Sequence, residues 1–270
     1  MQKNDSLIDL PVKLYSYRSL LIHLVRRELY DRINGTILGV GWLLLQPLLM
    51  LSLYTLVFGV FMKARWGVSP GVTNFSLALF PGLLVFNVFS ECINRAPGLI
   101  LQNRNYVKKV VFPLELLLIP VMVSAIVQFL IGFALWLFMV LIFSGGICWQ
   151  LVLLPCYLIP YIFTIMGLCW ILSATGVYFR DLVSITPLVT QVLMFISPVL
   201  YPIENIPEKI RIIFNFNPLT LPVDAVRSVV FNGSLPSLYS LALYFGFSLI
   251  ILLMGFKTFT LLRPGFSDAV

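Results

Sequence analysis

Charge is scarce in this sequence, and histidine is scarcer still. Of its 270 residues, 11% are Asp, Glu, Lys or Arg, against about 25% in an ordinary soluble protein. A soluble chain of this length needs more charged surface than 18 basic and 11 acidic residues supply. Because 60% of the residues are hydrophobic and lie in long uncharged runs, the chain is predicted to be an integral membrane protein.

Residue types that carry enzyme chemistry are also few. His23 is the single histidine, which excludes a multi-histidine metal site and a Ser–His pair elsewhere. The four cysteines form no CxxC pair and are interpreted as packing residues. The nearest approach to a Walker loop, residues 255–258, lacks the glycine pattern and follows an apolar run. We therefore expect no catalytic residue, cofactor or metal ion on this chain.

Uncharged apolar runs predict the helices that cross the membrane, since about 20 apolar residues span the hydrocarbon core. Six runs indicate an all-α chain with six transmembrane helices within residues 38–262. They lie at 38–61, 75–88 (extending to 93), 116–143, 151–179, 182–201 and 235–256 (extending to 262). The fourth and fifth are separated only by Arg180 and Asp181, a charged pair that belongs at a membrane interface.

Basic residues predict how these helices are oriented. With the N-terminus in the cytoplasm, thirteen of the 18 Lys and Arg residues fall in cytoplasmic segments and five fall outside. Since cytoplasmic loops carry the excess of Lys and Arg, both termini are predicted to be cytoplasmic. The same bias explains the net charge of +7 without a nucleic-acid partner.

Residues 1–37 are predicted to form a cytoplasmic segment with an amphipathic helix on the inner leaflet. Its apolar residues recur every three or four positions and form one stripe: Leu14, Tyr17, Leu21, Val25, Leu29 and Ile33. Glu28 and Arg32 are spaced for an i,i+4 ion pair. A membrane-surface anchor and a docking surface for a partner both fit this helix.

A second basic cluster lies in the predicted cytoplasmic loop 94–115. Arg104, Lys108 and Lys109 are close enough in sequence to share a short helix, which Pro113 ends. An ordinary positive-inside loop and a partner-docking helix both fit this pattern.

The longest predicted outer segment is residues 204–233. Proline in the first turn predicts short helices at 207–216 and 222–231, which Asn217 and Pro218 separate. This segment is interpreted either as a re-entrant helical pair at the outer end of a pathway or as an interfacial loop. Residues 263–270 are predicted to form a cytoplasmic tail.

Four motifs occur in register with the six predicted spans. Residues 27–47 match RE-x3-R-x3-S-x-LG-x2-W-x4-P, with Thr36 in place of serine. The others are NYVKKVVFPLE at 105–115, YFRD at 178–181 and NPLT at 217–220. In these motifs and their order, nearly the whole chain resembles the membrane-spanning subunit of ABC exporters for lipid-linked polysaccharides, the O-antigen, capsule and teichoic acid permeases.

The resemblance implies a non-enzymatic transport subunit of the inner membrane, embedded among membrane lipids. In such an exporter, two copies of the permease form a homodimer, and two copies of a separate ABC subunit bind ATP and Mg. The permease pair lines a channel for an undecaprenyl-diphosphate-linked polysaccharide, with O-antigen as the favoured substrate.

The resemblance also implies roles for three sets of residues. The residues coupled to the ATPase would be Asn103, Arg104, Tyr106, Lys108, Lys109 and Glu115. The N-terminal interface with the ATPase would comprise Arg26, Arg27, Glu28 and Arg32. The outer gate helices would include Pro207, Phe214, Asn217, Pro218 and Arg227.

Two other classes of function are open at this point. A secondary transporter would need ion ligands or a proton relay at mid-membrane, which the spans lack. A lipid flippase without an ATPase partner is a further alternative. A membrane-embedded transferase would need clustered carboxylates or histidines, whereas Glu91, Glu115 and Asp181 are scattered along the sequence. The exporter is therefore favoured.

Overall fold

The described part of the chain is helical and contains no β-strand in a computed structural model. The structure describes residues 7–33, 38–39, 41–61, 72–108, 112–144, 149–201, 207, 209, 211, 214, 217–231 and 236–269. The predicted all-α class is therefore confirmed over these residues.

Helices lie on each of the six predicted apolar runs, and others form on polar segments outside them. The α-helices are α1 (Leu10–Ser16), α2 (Arg18–Ile33), α3 (Gly41–Tyr54), α4 (Val72–Gln102), α5 (Arg104–Lys108), α6 (Leu118–Ser144), α7 (Leu154–Tyr178), α8 (Leu182–Ile196), α9 (Thr220–Phe231), α10 (Leu238–Leu262) and α11 (Phe266–Ala269). A π-helix at Thr55–Phe61 extends α3, and short 3-10 helices lie at Leu7–Asp9, Leu114–Leu117, Trp149–Leu153 and Arg263–Gly265.

Within the described residues, four helical stretches are long and apolar enough to cross a membrane, so the chain is an integral membrane protein. They are Leu77–Gln102, Leu114–Ile142, Trp149–Tyr178 and Leu238–Gly265, which correspond to the predicted second, third, fourth and sixth spans. The predicted first and fifth spans coincide with shorter apolar helices, Gly41–Val57 and Leu182–Ile196.

Helix α4 lies at the centre of the described bundle, in contact with α6, α7, α8 and α9. Most of its side chains from Leu77 onward are buried. Trp136 on α6 donates a hydrogen bond to the Leu77 carbonyl, and Tyr161 on α7 donates one to the Val85 carbonyl. These bonds attach two neighbouring spans to the backbone of α4.

Helix α4 is longer than its apolar run predicts. The run indicates an end near Ile93, but the helix continues to Gln102. The polar residues beyond the run do not end the helix because other helices satisfy them: Asn94 bonds to α8, and Arg95 pairs with α2. The predicted loop 94–115 is thereby reduced to α5 and its flanks.

Helices α7 and α10 approach more closely than larger side chains permit. A Cβ atom on Gly167 would lie 2.4 Å from the Ile251 carbonyl oxygen, and one on Gly255 would lie 2.2 Å from the Gly167 oxygen. Real Cβ atoms do not make contacts this short. Small residues allow the backbones of two membrane helices to meet, so these two glycines seat the last span on α7.

Helix α2 packs against α6. On α2, the predicted stripe residues Leu21, Val25 and Leu29 are buried or half-buried. His23, Arg26 and Arg27 on its other faces are exposed. At least part of the stripe therefore packs against the rest of the protein. That this helix lies on the inner leaflet stays a prediction.

Candidate functional site

A polar face runs along one side of α4. Five polar residues recur on it at helical spacing: Asn87, Ser90, Glu91, Asn94 and Arg95. All five are exposed or half-buried, and Asn87 is the one exposed residue between Leu77 and Ile100. Since polar side chains are costly in lipid, a span carries such a face where it meets other polar groups or water.

Interhelical ion pairs join α2 to this polar face. Arg95 Nη1 lies 2.5 Å from Glu28 Oε1 and 3.7 Å from Glu91 Oε1. Arg32, near the end of α2, pairs with Glu91. The prediction of a Glu28–Arg32 pair within α2 is wrong, because each of these residues meets an opposite charge on α4 instead. Two acids and two bases therefore neutralise one another.

Two glutamines extend the network to α6 and α3. Arg32 Nη1 donates to Gln128 Oε1 at 2.5 Å, and Gln128 Nε2 donates to Gln46 Oε1 at 3.1 Å. Burial lowers the pKa of Arg32, and the charge of Arg95 lowers it further. A guanidinium stays ionised in proteins, so Glu91 opposite Arg32 supplies the charge that makes its burial tolerable.

A cavity of about 360 Å³ lies beside this network, with walls from α2, α3, α4 and α6. Its polar lining comprises Arg32, Gln46, Asn87, Ser90, Glu91 and Gln128. Small-molecule sites in proteins have volumes of about 300–1,000 Å³. The α4 polar face therefore borders a cavity of ligand size.

The predicted coupling residues lie on and around α5. Arg104 is exposed and donates to the Leu101 carbonyl at 3.2 Å. Asn103 is half-buried and donates to the Leu99 carbonyl at 2.9 Å. Tyr106 is half-buried. Lys109 and the side chain of Lys108 lie outside the described residues.

Aromatic rings connect α5 with both ends of the chain. The Tyr106 ring lies 5.6 Å from the Phe112 ring, which lies 5.8 Å from Tyr17 in the N-terminal segment. The C-terminal helix α11 contacts α5 and α7. Its Phe266 is fully buried, with the Phe259 ring 5.5 Å away. The N-terminal segment, α5 and the C-terminal tail therefore meet in one region, called the base below.

Glu115 joins the same three parts of the chain by charge. It is fully buried, with Oε1 2.6 Å from Lys13 Nζ and Oε2 3.3 Å from Arg263 Nη1. Its backbone carbonyl accepts a hydrogen bond from Trp170 on α7 at 3.1 Å. Because this carboxylate has no exposed surface in the chain, its contact with a docked subunit would have to pass through Lys13 or Arg263.

Arg227 on α9 fixes the predicted outer gate segment. The side chain is buried, and its Nε donates to the Ala78 carbonyl on α4 at 2.8 Å. Its two Nη atoms donate to the carbonyls of Pro198 and Val199, just after α8. One guanidinium therefore ties α9 to the start of the buried part of α4 and to the end of α8.

The Asn217–Pro218 break is bonded to its surroundings. Asn217 Nδ2 donates to Ser197 Oγ at 2.8 Å, and the Pro218 carbonyl accepts from the Tyr244 hydroxyl on α10 at 2.7 Å. Phe214 is buried and Pro207 is exposed. The second predicted helix, 222–231, corresponds to α9, whereas most of the first, 207–216, lies outside the described residues.

The structure brings some of the predicted interface residues together and leaves others apart. Glu28 and Arg32 meet α4, as described above. Arg26 and Arg27 remain exposed, and Arg27 forms an exposed ion pair with Asp31 at 3.6 Å. Only part of the predicted N-terminal interface is therefore available to another subunit.

Sequence reasoning missed the polar face of α4 as a unit. Its signal is the three- and four-residue spacing of polar residues from Asn87 to Arg95. The roles of Gln46 and Gln128 could not be read from the sequence, because each is a single polar residue in an apolar run and shows no periodic spacing. Lone polar residues within spans are nevertheless a general sign of a functional site.

Comparison with known proteins adds independent evidence about the family of this chain. The family model described as "ABC-2 type transporter" matches residues 19–231. An O-antigen export system permease protein RfbA of Myxococcus xanthus is 29% identical over 266 residues, covering 98% of this chain and all of the relative. A protein of the same name from Klebsiella pneumoniae is 25% identical, covering 92% of this chain and 94% of the relative.

A protein named for polysialic acid transport is similar at a comparable level. The polysialic acid transport protein KpsM of Escherichia coli is 26% identical over 236 residues, covering 85% of this chain and 88% of the relative. The polar face, the cavity and α5 fall within the region that the family model matches, whereas the parts of the base contributed by α1 and the C-terminal tail lie outside it.

Proposed function

The chain belongs to the ABC-2 type transporter family, and from that premise we propose that it is the permease subunit of a polysaccharide exporter. Its substrate is a lipid-linked polymer, with O-antigen favoured because two similar relatives carry that name over nearly their full length. The energy comes from ATP and Mg bound on a separate ABC subunit. The observation that carries this function is the polar face of α4 at the centre of an apolar bundle.

The proposed topology has six spans in the inner membrane, with both termini in the cytoplasm. The two shorter apolar helices, Gly41–Val57 and Leu182–Ile196, join the four long ones. The excess of Lys and Arg in the cytoplasmic segments supports this orientation. In it, α1 and α2 lie at the inner leaflet and α9 belongs to a re-entrant pair on the outer side.

The base is the proposed site of coupling to two copies of the ATPase. Asn103, Arg104, Tyr106, Lys108 and Lys109 form the docking segment, together with Arg26 and Arg27 on the exposed faces of α2. Glu115 transmits movement, since it bonds to Lys13 and Arg263 behind the docking segment. Displacing α5 therefore displaces both ends of the chain.

Two copies of the chain form the proposed channel. A 270-residue bundle whose central helix has one polar face supplies half of a polar lining. A second copy of the same face completes a route wide enough for a sugar polymer. Arg227 and α9 lie at the proposed outer end of this route.

One experiment separates the permease from an enzyme with its own energy source. The purified chain is expected to hydrolyse no ATP alone and to support ATP-dependent export once combined with its ATPase in vesicles. Robust hydrolysis by the isolated chain would contradict the proposal.

A second experiment tests the docking segment. Lys108→Glu with Lys109→Glu is expected to abolish export and release the ATPase in co-purification, because two contact charges change sign. Lys209→Glu is the matched control: it makes the same charge change at an exposed residue of the proposed outer side. Normal export by the double variant would refute the assignment of these lysines.

A further inference from the structure

The cavity between α2, α3, α4 and α6 has a charge balance that restricts its ligand. Arg32 and Arg95 are matched by Glu28 and Glu91, and the structure joins all four in ion pairs. An added phosphate would meet Glu91 at the wall of the cavity. An added cation would meet Arg32 there. The lining therefore favours a ligand without net charge.

Hydrogen-bonding capacity remains once the charges are paired. The side chains of Gln46 and Asn87 are exposed at the cavity and carry both donor and acceptor groups.

The remaining wall is apolar. Met50, Leu84 and Phe129 line the cavity beside the amides. A sugar ring presents hydroxyl groups at its edge and C–H groups on its faces, so it matches a lining that combines neutral amides with apolar side chains. A fatty acyl chain would offer no hydrogen bond to the amide groups of Asn87 and Gln46.

From this lining we propose that the cavity binds sugar units of the transported polymer, with Asn87 and Gln46 contacting their hydroxyl groups. The inference rests on the proposed function, and it assigns the polymer a contact within one protomer. The sugar units would therefore contact the side-chain amides of Asn87 and Gln46, and not aromatic rings alone.

Site-specific photo-crosslinking tests this contact in the assembled transporter. Asn87 is replaced by p-benzoylphenylalanine in the full chain, which is expressed with its ATPase in a host lacking its own copy. After irradiation, the chain is purified in denaturant and probed with a periodate glycan stain, which detects vicinal diols of any sugar. We expect a ladder of glycan adducts on the chain.

The matched control carries the same photo-crosslinker at Leu130. This residue is exposed on α6, two positions from Gln128, and does not line the cavity. We expect no glycan adduct there. If the wild-type chain restores export but position 87 gives no adduct, the inference is overturned and the proposed function stands. Equal adducts at positions 87 and 130 would have the same meaning. Unchanged export in the host without this chain would overturn the proposed function and the inference together.

A smaller change covers the case in which the bulky crosslinker disturbs folding. Asn87→Leu keeps the approximate size of the side chain and removes its hydrogen bonds, so we expect export to fall about 2- to 10-fold at equal membrane abundance. Leu130→Ala is expected to leave export unchanged. An Asn87→Leu variant that exports at the wild-type rate would overturn the inference.

Discussion

Among single residues, Glu115 has the most consequential environment. Its carboxylate is fully buried and meets two cations that lie 102 and 148 residues away in the sequence. Taking one partner away from a buried ion pair leaves an uncompensated charge, which costs far more than the pair itself contributes. The stability of the base therefore depends on this one side chain.

Neutralising Glu115 is expected to destabilise the protein. Glu115→Gln removes the buried anion that faces Lys13 and Arg263, whose side chains are 21% and 33% exposed. We expect a cost between the about 0–1 kcal/mol of an exposed pair and the about 3–5 kcal/mol of a fully buried one. The measurement is thermal unfolding of the purified chain in detergent, where we expect a clear drop in the midpoint.

The matched control is Asp31→Asn, which removes the acid of the exposed Arg27–Asp31 pair. Exposed pairs contribute about 0–1 kcal/mol, so its midpoint should stay near that of the wild type. Equal losses in the two variants would show that burial of Glu115 does not set its contribution.

At the scale of helices, close backbone contact between α7 and α10 seats the last span. Gly255→Ala would place a Cβ 2.2 Å from the Gly167 oxygen, so the two helices must separate. Overpacking of this kind costs about 1–3 kcal/mol. We expect a lower unfolding midpoint and less folded protein in the membrane.

Gly246→Ala on the same helix is the control for that change. A Cβ at this position meets no atom within 4 Å, so helix propensity is the only quantity that changes. Its midpoint is expected to equal or exceed that of the wild type. A matching loss at Gly246 would contradict the role of the glycine contact.

The helices themselves were largely predictable, because apolar runs of sufficient length specify them with local information alone. The residue at which α4 ends and the ion-pair partners of Glu28 and Arg32 could not be predicted. Both depend on charges that other helices bring to α4, and sequence spacing within one helix cannot reveal those. The candidate cavity is likewise built from four helices, so only its α4 wall had a readable pattern.

For the whole molecule, the base connects the first and last segments of the chain with α5. Phe266 contributes to this connection, since it is fully buried beside Phe259 and Tyr178. The base thus joins the proposed docking segment to the final span.

Phe266→Ala is expected to weaken coupling between ATP hydrolysis and export. Removing a buried phenylalanine costs about 3–5 kcal/mol, enough to detach the short helix α11. The measurement is the amount of polymer exported per ATP hydrolysed in vesicles containing the ATPase. Leu261→Ala, at an exposed residue of α10, should leave that ratio unchanged. An unchanged ratio in Phe266→Ala would remove the tail from the coupling path.

The anchoring of Arg227 bears on how the proposed outer end of the molecule would open. A single guanidinium holds carbonyls from α4 and from the segment after α8, so these contacts are not independent of one another. Breaking one weakens the geometry of the others, and leaving the charge buried with few partners is unfavourable. We therefore expect this end to occupy two discrete states, anchored or released, with intermediate openings sparsely populated.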